Sequence, residues 1–132
     1  MTMYVKHCIT SRRLADGRLD LCSPARVLAD LNERLVTQNL PDSQFVTAWY
    51  GLLDLTTFEL QYAVAGHPPA LHISTAGQIA ELHGDGSLLG LEANQIFTDQ
   101  SIRLSRGDRV FVYSDGLEPT LMSARHPAPK LP

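Results

Sequence analysis

The stretch "GDRVFVYSDGLEPT", residues 107–120, places a carboxylate directly after an apolar segment. Arg109–Tyr113 is predicted to be a short strand, and Ser114–Gly116 follows it as a tight turn. Asp and Gly are common turn residues, so one interpretation of Asp115 is purely structural. The other interpretation is that Asp115 binds a metal ion. The two remain open until the surrounding sequence is considered.

His67, in "AGHPP", is a second candidate for chemistry, since a neutral imidazole is a common metal ligand and acid–base group. The alternative is that His67 packs beside the turn set by Pro68 and Pro69. A hydrolase triad of Ser114, His67 and Asp85 is not expected, because the sequence has no G-x-S-x-G nucleophile elbow. Asp85, in "GDGS", is interpreted as a turn residue.

The remaining histidines and the cysteines suggest no metal site. His72 and His83 are predicted to lie on sheet faces. Adjacent residues of a helix point to different sides, so His7 and Cys8 do not suit one ion. Cys8 and Cys22 are the only cysteines and fit no zinc spacing, so a reducing cytoplasm is the expected location.

Composition excludes several classes of protein. The 132 residues are 44% hydrophobic and 19% charged with a formal net charge of -3, which is typical of one globular domain. No basic cluster exceeds the pair Arg12-Arg13, so no nucleic-acid partner is expected. No apolar run approaches the ~18 residues of a membrane span, so no membrane insertion is expected in this chain.

The first half of the chain indicates helical structure. Residues 1–13 could be the back half of a helix, and residues 15–18 form a turn. Residues 23–40 carry the clearest helical pattern, with Ser23 as N-cap and Pro24 in the first turn. Apolar residues recur there at three- and four-residue steps: Val27, Leu28, Leu31 and Leu35.

From residue 45 the pattern changes to that of strands. "FVTAWYGLLDL" and "FELQYAVAG" are separated by Thr56-Thr57 and predict a β-hairpin. "HPPALHIS", "IAELH", "QIFTDQSIRL" and "RVFVY" predict four further strands, with "SRGD" as a turn before the last. The expected fold class is α+β with antiparallel sheets. Residues 121–132 are rich in proline and are predicted to be a disordered tail.

In this order, "SPARVLADLNERL", "FVTAWYGLLDL", "LQYAVAGHPPALH", "LLGL" and "LSRGDRVFVYSDGLEPT" resemble one family. It is the bacterial PPM-type (type 2C) protein serine phosphatases of the sporulation stage II protein E and sigma-regulator RsbU kind. The resemblance covers roughly residues 3–120, and we interpret residues 1–120 as a partial PPM-type phosphatase domain. Its most specific parts are "AGHPP" and "GDR…YSDG" in this order and spacing.

The resemblance implies a β-sandwich of antiparallel sheets flanked by helices, with two or more Mn²⁺ or Mg²⁺ ions in the active site. Hard oxygen ligands suit such cations, and paired ions stabilise the attacking and leaving oxygens of phosphoryl transfer. By this resemblance Asp115 matches a metal-binding aspartate, and Gly116 lets the backbone pass close to the site. The family's metals are held by carboxylates, which favours the packing interpretation of His67.

The resemblance also implies a substrate: phosphoserine or phosphothreonine on a regulatory protein such as an anti-sigma-factor antagonist. The family has an earlier Gly-Asp-Val-Ser-Gly-His-Gly type motif and a later Asp-Asp pair, and neither lies in these 132 residues. We therefore expect a domain truncated at both ends, impaired as an isolated chain and able to form a homodimer. The alternative is a catalytically inactive phosphatase-like module that acts through protein–protein contacts.

Overall fold

The computed structural model describes residues 12–15, 18–38 and 45–114, and for residues 12–15 and 18–20 it describes the backbone alone. Within this part of the chain lie one helix and eight strands. They are β1 (Arg12–Ala15), β2 (Arg18–Leu21), α1 (Pro24–Thr37), β3 (Ala48–Leu53), β4 (Glu59–Ala65), β5 (Ala70–Ile73), β6 (Ile79–Leu82), β7 (Gln100–Arg103) and β8 (Arg109–Phe111). The predicted tail, residues 121–132, lies outside the described residues.

Helix α1 begins where the sequence predicts it. The Ser23 side-chain oxygen accepts a hydrogen bond from the backbone N–H of Arg26 at 3.3 Å, and Pro24 occupies the first helical position, where no N–H is needed. A second cap comes from far along the chain, since Asp99 Oδ1 accepts from the N–H of Ala25 at 2.7 Å. The predicted apolar stripe is buried: Val27, Leu28, Leu31 and Leu35.

The strands form two antiparallel three-stranded sheets and a hairpin. The first sheet has the order β3-β4-β7 and the second the order β6-β5-β8. The predicted hairpin is β3–β4, in which Ala48 pairs with Ala65 and Leu53 with Leu60. Antiparallel sheets with a helix confirm the α+β fold class.

Strand β4 separates two apolar cores because its side chains alternate between the faces of the first sheet. Ala63 and Ala65 pack against α1. The other face turns toward the second sheet and forms a core with its residues, which makes the two sheets a sandwich. That core comprises Leu60, Tyr62, Val64, Ala70, Leu82 and Leu104. The chain is therefore layered as helix, first sheet and second sheet.

Apart from element ends that fall short of the predicted ones, such as β8 at Phe111 and α1 at Thr37, two sequence predictions differ from the structure. Arg12 and Arg13 lie in β1, which pairs with β2, so the predicted helix does not extend through residue 13. The turn predicted at residues 15–18 agrees with the pairing of Ala15 with Arg18. Its Asp-Gly dipeptide is typical of a two-residue hairpin loop, and that preference was not used to predict flanking strands. The rest of that interpretation, residues 1–11, lies outside the described residues.

The second difference concerns "QIFTDQSIRL", which was predicted to be a strand throughout. Only Gln100–Arg103 is a strand. The residues before it make other contacts: Phe97 is buried in the core beneath α1, and the Asp99 side chain caps that helix. Tertiary contacts of single side chains therefore override the strand propensity of residues 95–99.

In the described part of the chain, no helix is long and apolar enough to cross a membrane.

Candidate functional site

The predicted metal ligand Asp115 and its neighbour Gly116 lie outside the described residues, but the chain that leads to them is described. β8 ends at Phe111, and the chain then continues through Tyr113 to Ser114. The Tyr113 side chain is buried, and its ring stacks at 6.3 Å on that of Phe111. The approach to "SDG" is thus anchored in the protein.

His67 connects the two motifs on which the family resemblance depends. Its Nε2 lies 2.8 Å from the backbone oxygen of Tyr113, at the start of "YSDG". Its Nδ1 lies 2.9 Å from the hydroxyl oxygen of Thr47, just before β3. One imidazole therefore joins the end of the first sheet to the chain that leaves the second sheet. The interpretation that His67 packs beside the proline turn did not include either of these hydrogen bonds.

The partners of His67 determine the direction of each hydrogen bond. A carbonyl oxygen only accepts, so Nε2 carries a proton and donates to Tyr113. In the neutral imidazole Nδ1 then has a lone pair and accepts from the Thr47 hydroxyl. Both ring nitrogens are used, so the single nitrogen lone pair of the neutral ring, on Nδ1, is not available to a metal ion.

Glycines allow the "GDGS" loop, residues 84–87, to pack against the end of β4 that leads to His67. The Gly66 N–H donates to the Gly86 oxygen at 2.7 Å, and Gly66 has φ +61°, in the left-handed region that favours glycine. A Cβ on Gly86 would lie 2.0 Å from the backbone oxygen of Val64. Only glycine fits there. The loop carries Asp85 on the surface.

The "SRGD" turn before β8 is held by Asp108, a residue that sequence reasoning treated only as part of a turn. The Asp108 N–H donates to the Ser105 oxygen at 3.0 Å, and Gly107 has φ +89°, as the third position of a type II turn requires. The carboxylate accepts from the N–H groups of Ser105 and Thr75, at 2.9 and 3.2 Å, and lies 2.8 Å from His72 Nε2. β8 is thereby fastened to the β5–β6 turn.

These bonds change the protonation equilibrium of Asp108. The hydrogen bond from the Ser105 N–H, followed by the contact with His72, holds the pKa of the carboxyl below its ordinary value of 3.8. The sequence offers only the general signal that Gly and Asp are common turn residues.

The other candidates are placed as follows. His72 lies in β5 and contacts Asp108, and His83 lies just beyond β6 and contacts Glu81 at 2.5 Å. Cys22 is a buried free thiol. His7 and Cys8 lie outside the described residues. The structure therefore brings together His67, Thr47 and Tyr113, which the sequence did not group.

The described residues do not by themselves fit a metal ion. Among them, no group of three or more His, Cys, Asp or Glu side chains is placed to hold one. Mg²⁺ and Mn²⁺ favour several oxygen ligands in a near-octahedral arrangement. Asp115 as a ligand stays a prediction.

Comparisons with known proteins agree with the layered fold. The family model of stage II sporulation protein E (SpoIIE) matches residues 3–126. Phosphoserine phosphatase RsbU of Bacillus subtilis is 32% identical over 95 residues, which are 71% of this chain and 28% of RsbU. Phosphoserine phosphatase RsbP of the same organism is 29% identical over 118 residues, 86% of this chain and 28% of RsbP.

A solved structure supports the same assignment. The RsbU and RsbW domains of Rv1364c from Mycobacterium tuberculosis superpose with a TM-score of 0.63 and 29% identity, covering 73% of this chain and 26% of that one. The fold is that of a PPM-type phosphatase. The chain belongs to the SpoIIE family, and it spans less than a third of the length of the curated relatives RsbU and RsbP.

Proposed function

We propose that this chain forms part of a phosphatase domain that hydrolyses phosphoserine or phosphothreonine on a regulatory protein. The observation that carries the proposal is the hydrogen bond from His67 to the Tyr113 carbonyl, because it joins "AGHPP" to "YSDG" within a family-matched fold. The names of RsbU and RsbP supply the phosphoserine specificity of the proposal. An anti-sigma-factor antagonist is the proposed kind of substrate.

The proposal assigns Asp115 as one ligand of Mn²⁺ or Mg²⁺, with Gly116 allowing close passage of the backbone. The described residues do not by themselves complete a binding site for the ion. What these residues do is hold the chain at Tyr113, two residues before the proposed ligand.

A second candidate function is a catalytically inactive module that binds a protein partner, or a second copy of itself, through its surface. The observation that favours it is the lack of a cluster of metal-ligating side chains among residues 12–15, 18–38 and 45–114. The two candidates share the same fold and differ in whether phosphate is released.

The test is release of phosphate from a phosphoserine peptide by the purified 132-residue chain, with and without Mn²⁺. Asp115→Asn is the test variant. Asp30→Asn is the matched control, because Asp30 lies on α1 in a partly exposed pair with Arg26. A phosphotyrosine peptide tests the substrate class.

Mn²⁺-dependent release that is lost in Asp115→Asn and kept in Asp30→Asn supports the phosphatase and its ligand. Equal activity of Asp115→Asn and the unaltered chain contradicts the assigned ligand. A folded chain, shown by circular dichroism, that releases no phosphate contradicts enzyme function for this chain and favours the binding module.

A further inference from the structure

We propose that the cleft between the β5–β6 turn and the turn before β8 binds a phosphate group, with the Arg109 guanidinium as its main contact. The ligand is a tetrahedral oxyanion, carried either by free inorganic phosphate or by a phosphoserine side chain of a protein. The cleft lies at the end of β8 opposite to that leading to Tyr113, and it does not rest on the proposed function.

The cleft has a volume of about 330 Å³ and forms where two glycine-containing turns meet. Gly77 and Gly107 both have positive φ, at +82° and +89°. A Cβ on Gly107 would lie 2.9 Å from the Thr75 methyl group, so glycine there allows the turns to approach closely. The walls are formed by Ile73, Ser74, Thr75, Gly77, Gly107 and Arg109.

The chain's own hydrogen bonds fix the two walls. Within the first turn, the Gly77 N–H donates to the Ser74 oxygen and the Ser74 N–H to the Gln78 oxygen, both at 2.9 Å. Between the turns, the Asp108 carboxylate accepts from the Thr75 N–H at 3.2 Å. A cleft fixed in this way loses little conformational entropy when a ligand binds.

Arg109 gives the cleft its positive charge. Its side chain is exposed, and it forms no ion pair or hydrogen bond with the rest of the described chain. Arg109 pairs with Ile73 across the sheet, so the two side chains share a face, and both line the cleft. A guanidinium presents parallel N–H donors that match two oxygens of a phosphate group.

Two hydroxyl groups add donors to the same cleft. Ser74 Oγ accepts from the Gln78 N–H at 3.1 Å, which leaves the hydroxyl proton available. The Thr75 hydroxyl makes no hydrogen bond to another described residue, since only its backbone N–H is bonded. A phosphate monoester offers three oxygens to these donors, whereas the two oxygens of a carboxylate are matched by the guanidinium alone.

Asp108 is the carboxylate next in sequence to Arg109, and its charge opposes an anion in the cleft. Its oxygens are used by the two turns, because they accept from the N–H groups of Ser105 and Thr75 and contact His72. The residue does not line the cleft. Arg106, exposed in the same turn, adds a second positive charge at this edge of a chain whose net charge is -3. The local balance therefore favours an anionic ligand.

The test is a ¹H–¹⁵N NMR titration of the 132-residue chain with inorganic phosphate, in EDTA and at constant ionic strength. The amides of Thr75, Gly77 and Gly107 and the Arg109 Nε–H should shift saturably. Arg109→Gln should weaken the fitted affinity by roughly 10-fold, as expected for loss of a charge-assisted hydrogen bond. Thr75→Val, which keeps the side-chain shape, should weaken it by roughly 2–10-fold.

Two further variants separate geometry from charge. Arg109→Lys keeps the charge but not the paired donors, so its affinity should lie between those of the unaltered chain and Arg109→Gln. Arg26→Gln is the matched control: it removes the same charge from α1, on the far side of the first sheet, and should leave the affinity unchanged. Unshifted amides of α1 in each variant show that the fold is kept.

A phosphoserine peptide and its unphosphorylated form distinguish the two sources of the phosphate group. Tighter binding of the phosphopeptide than of inorganic phosphate at the same amides assigns the cleft to a phosphorylated protein. Binding of inorganic phosphate without the peptide assigns it to the free anion.

Four results overturn the proposal. They are the absence of saturable shifts at the cleft with both phosphate probes, equal weakening in Arg26→Gln and Arg109→Gln, acetate binding as tight as that of phosphate, and equal shifts from the two peptides. Because EDTA removes divalent metal, none of these results bears on the metal-dependent phosphatase activity, and an inactive chain leaves the cleft to be decided by the titration.

Discussion

The Asp108 carboxylate and the His72 imidazole meet at 2.8 Å between the turn that precedes β8 and strand β5. The Asp108 side chain is only 5% exposed and also accepts two backbone N–H groups. The contact holds the beginning of β8, the strand that leads to Asp115. The hydrogen bond from His67 to Tyr113 holds the chain just after the end of β8.

Asp108 should make stability depend on pH in the acid range. Its folded pKa is lowered from 3.8, so its contribution is fully present above the unfolded value and is lost as pH falls through the folded value. The free energy of unfolding should therefore decline with acidification below about pH 4, as measured by urea unfolding at several pH values.

Asp108→Asn should be less stable at neutral pH and should show a shallower acid decline. Asp30→Asn is the matched control, since it removes a carboxylate from a partly exposed helix surface where an ion pair is worth little. Identical acid slopes for Asp108→Asn and the unaltered chain would contradict the anchoring role.

Asn32 should be a large contributor to stability despite being polar. It is 1% exposed, its Nδ2 donates to the Glu92 oxygen at 2.8 Å, and its Oδ1 accepts from the Gly90 N–H at 2.9 Å. Asn32→Ala leaves both loop groups without these partners and should cost about 2–4 kcal/mol in urea unfolding.

Glu33→Gln is the control for Asn32. Glu33 accepts from the Asn94 N–H on the surface of the same loop, and glutamine keeps an acceptor oxygen. Glu33→Gln should lower the free energy of unfolding by less than about 0.5 kcal/mol. Similar losses for Asn32→Ala and Glu33→Gln would mean that burial is not the source of the effect.

Gly86→Ala should disrupt the loop that packs on the end of β4. The added Cβ meets a backbone oxygen at 2.0 Å and the Phe97 ring at 2.6 Å, and backbone cannot move aside as a flexible side chain can. We expect a cost of about 3 kcal/mol, at the upper end for overpacking, in thermal or urea unfolding.

Gly77→Ala provides a comparison without a clash. Gly77 has φ +82° and no atom within 4 Å of the added Cβ, so only backbone strain of about 1 kcal/mol is expected. A Gly86→Ala chain as stable as Gly77→Ala would show that the loop does not lie against Val64 as described.

The two caps of α1 should act separately. Ser23→Ala and Asp99→Ala each remove an acceptor from a different N–H, that of Arg26 or Ala25, and each should cost about 1 kcal/mol. Asp99→Ala should also loosen residues 95–99, detectable as faster amide exchange there. Ser23→Ala is the control, because it should leave amide exchange at residues 95–99 unchanged.

The sequence predicted those parts of the molecule that depend on local patterns. Helix α1, the β3–β4 hairpin and the turn at Ser105–Asp108 arise from periodicity, capping and turn residues that act over a few positions. For residues 1–18 the sequence predicted the turn at residues 15–18 but a helix before it, and so missed the β1–β2 hairpin.

The motifs determined the family, and the tertiary structure decided which residues meet. Nothing in the sequence pairs His67 with Tyr113 or Asp99 with the start of α1, because each contact joins residues tens of positions apart. Such contacts depend on how the two sheets stack, which local propensity does not encode. For that reason the sequence by itself identified a phosphatase scaffold and the candidate Asp115, while only the folded chain showed that an imidazole anchors the backbone leading to it.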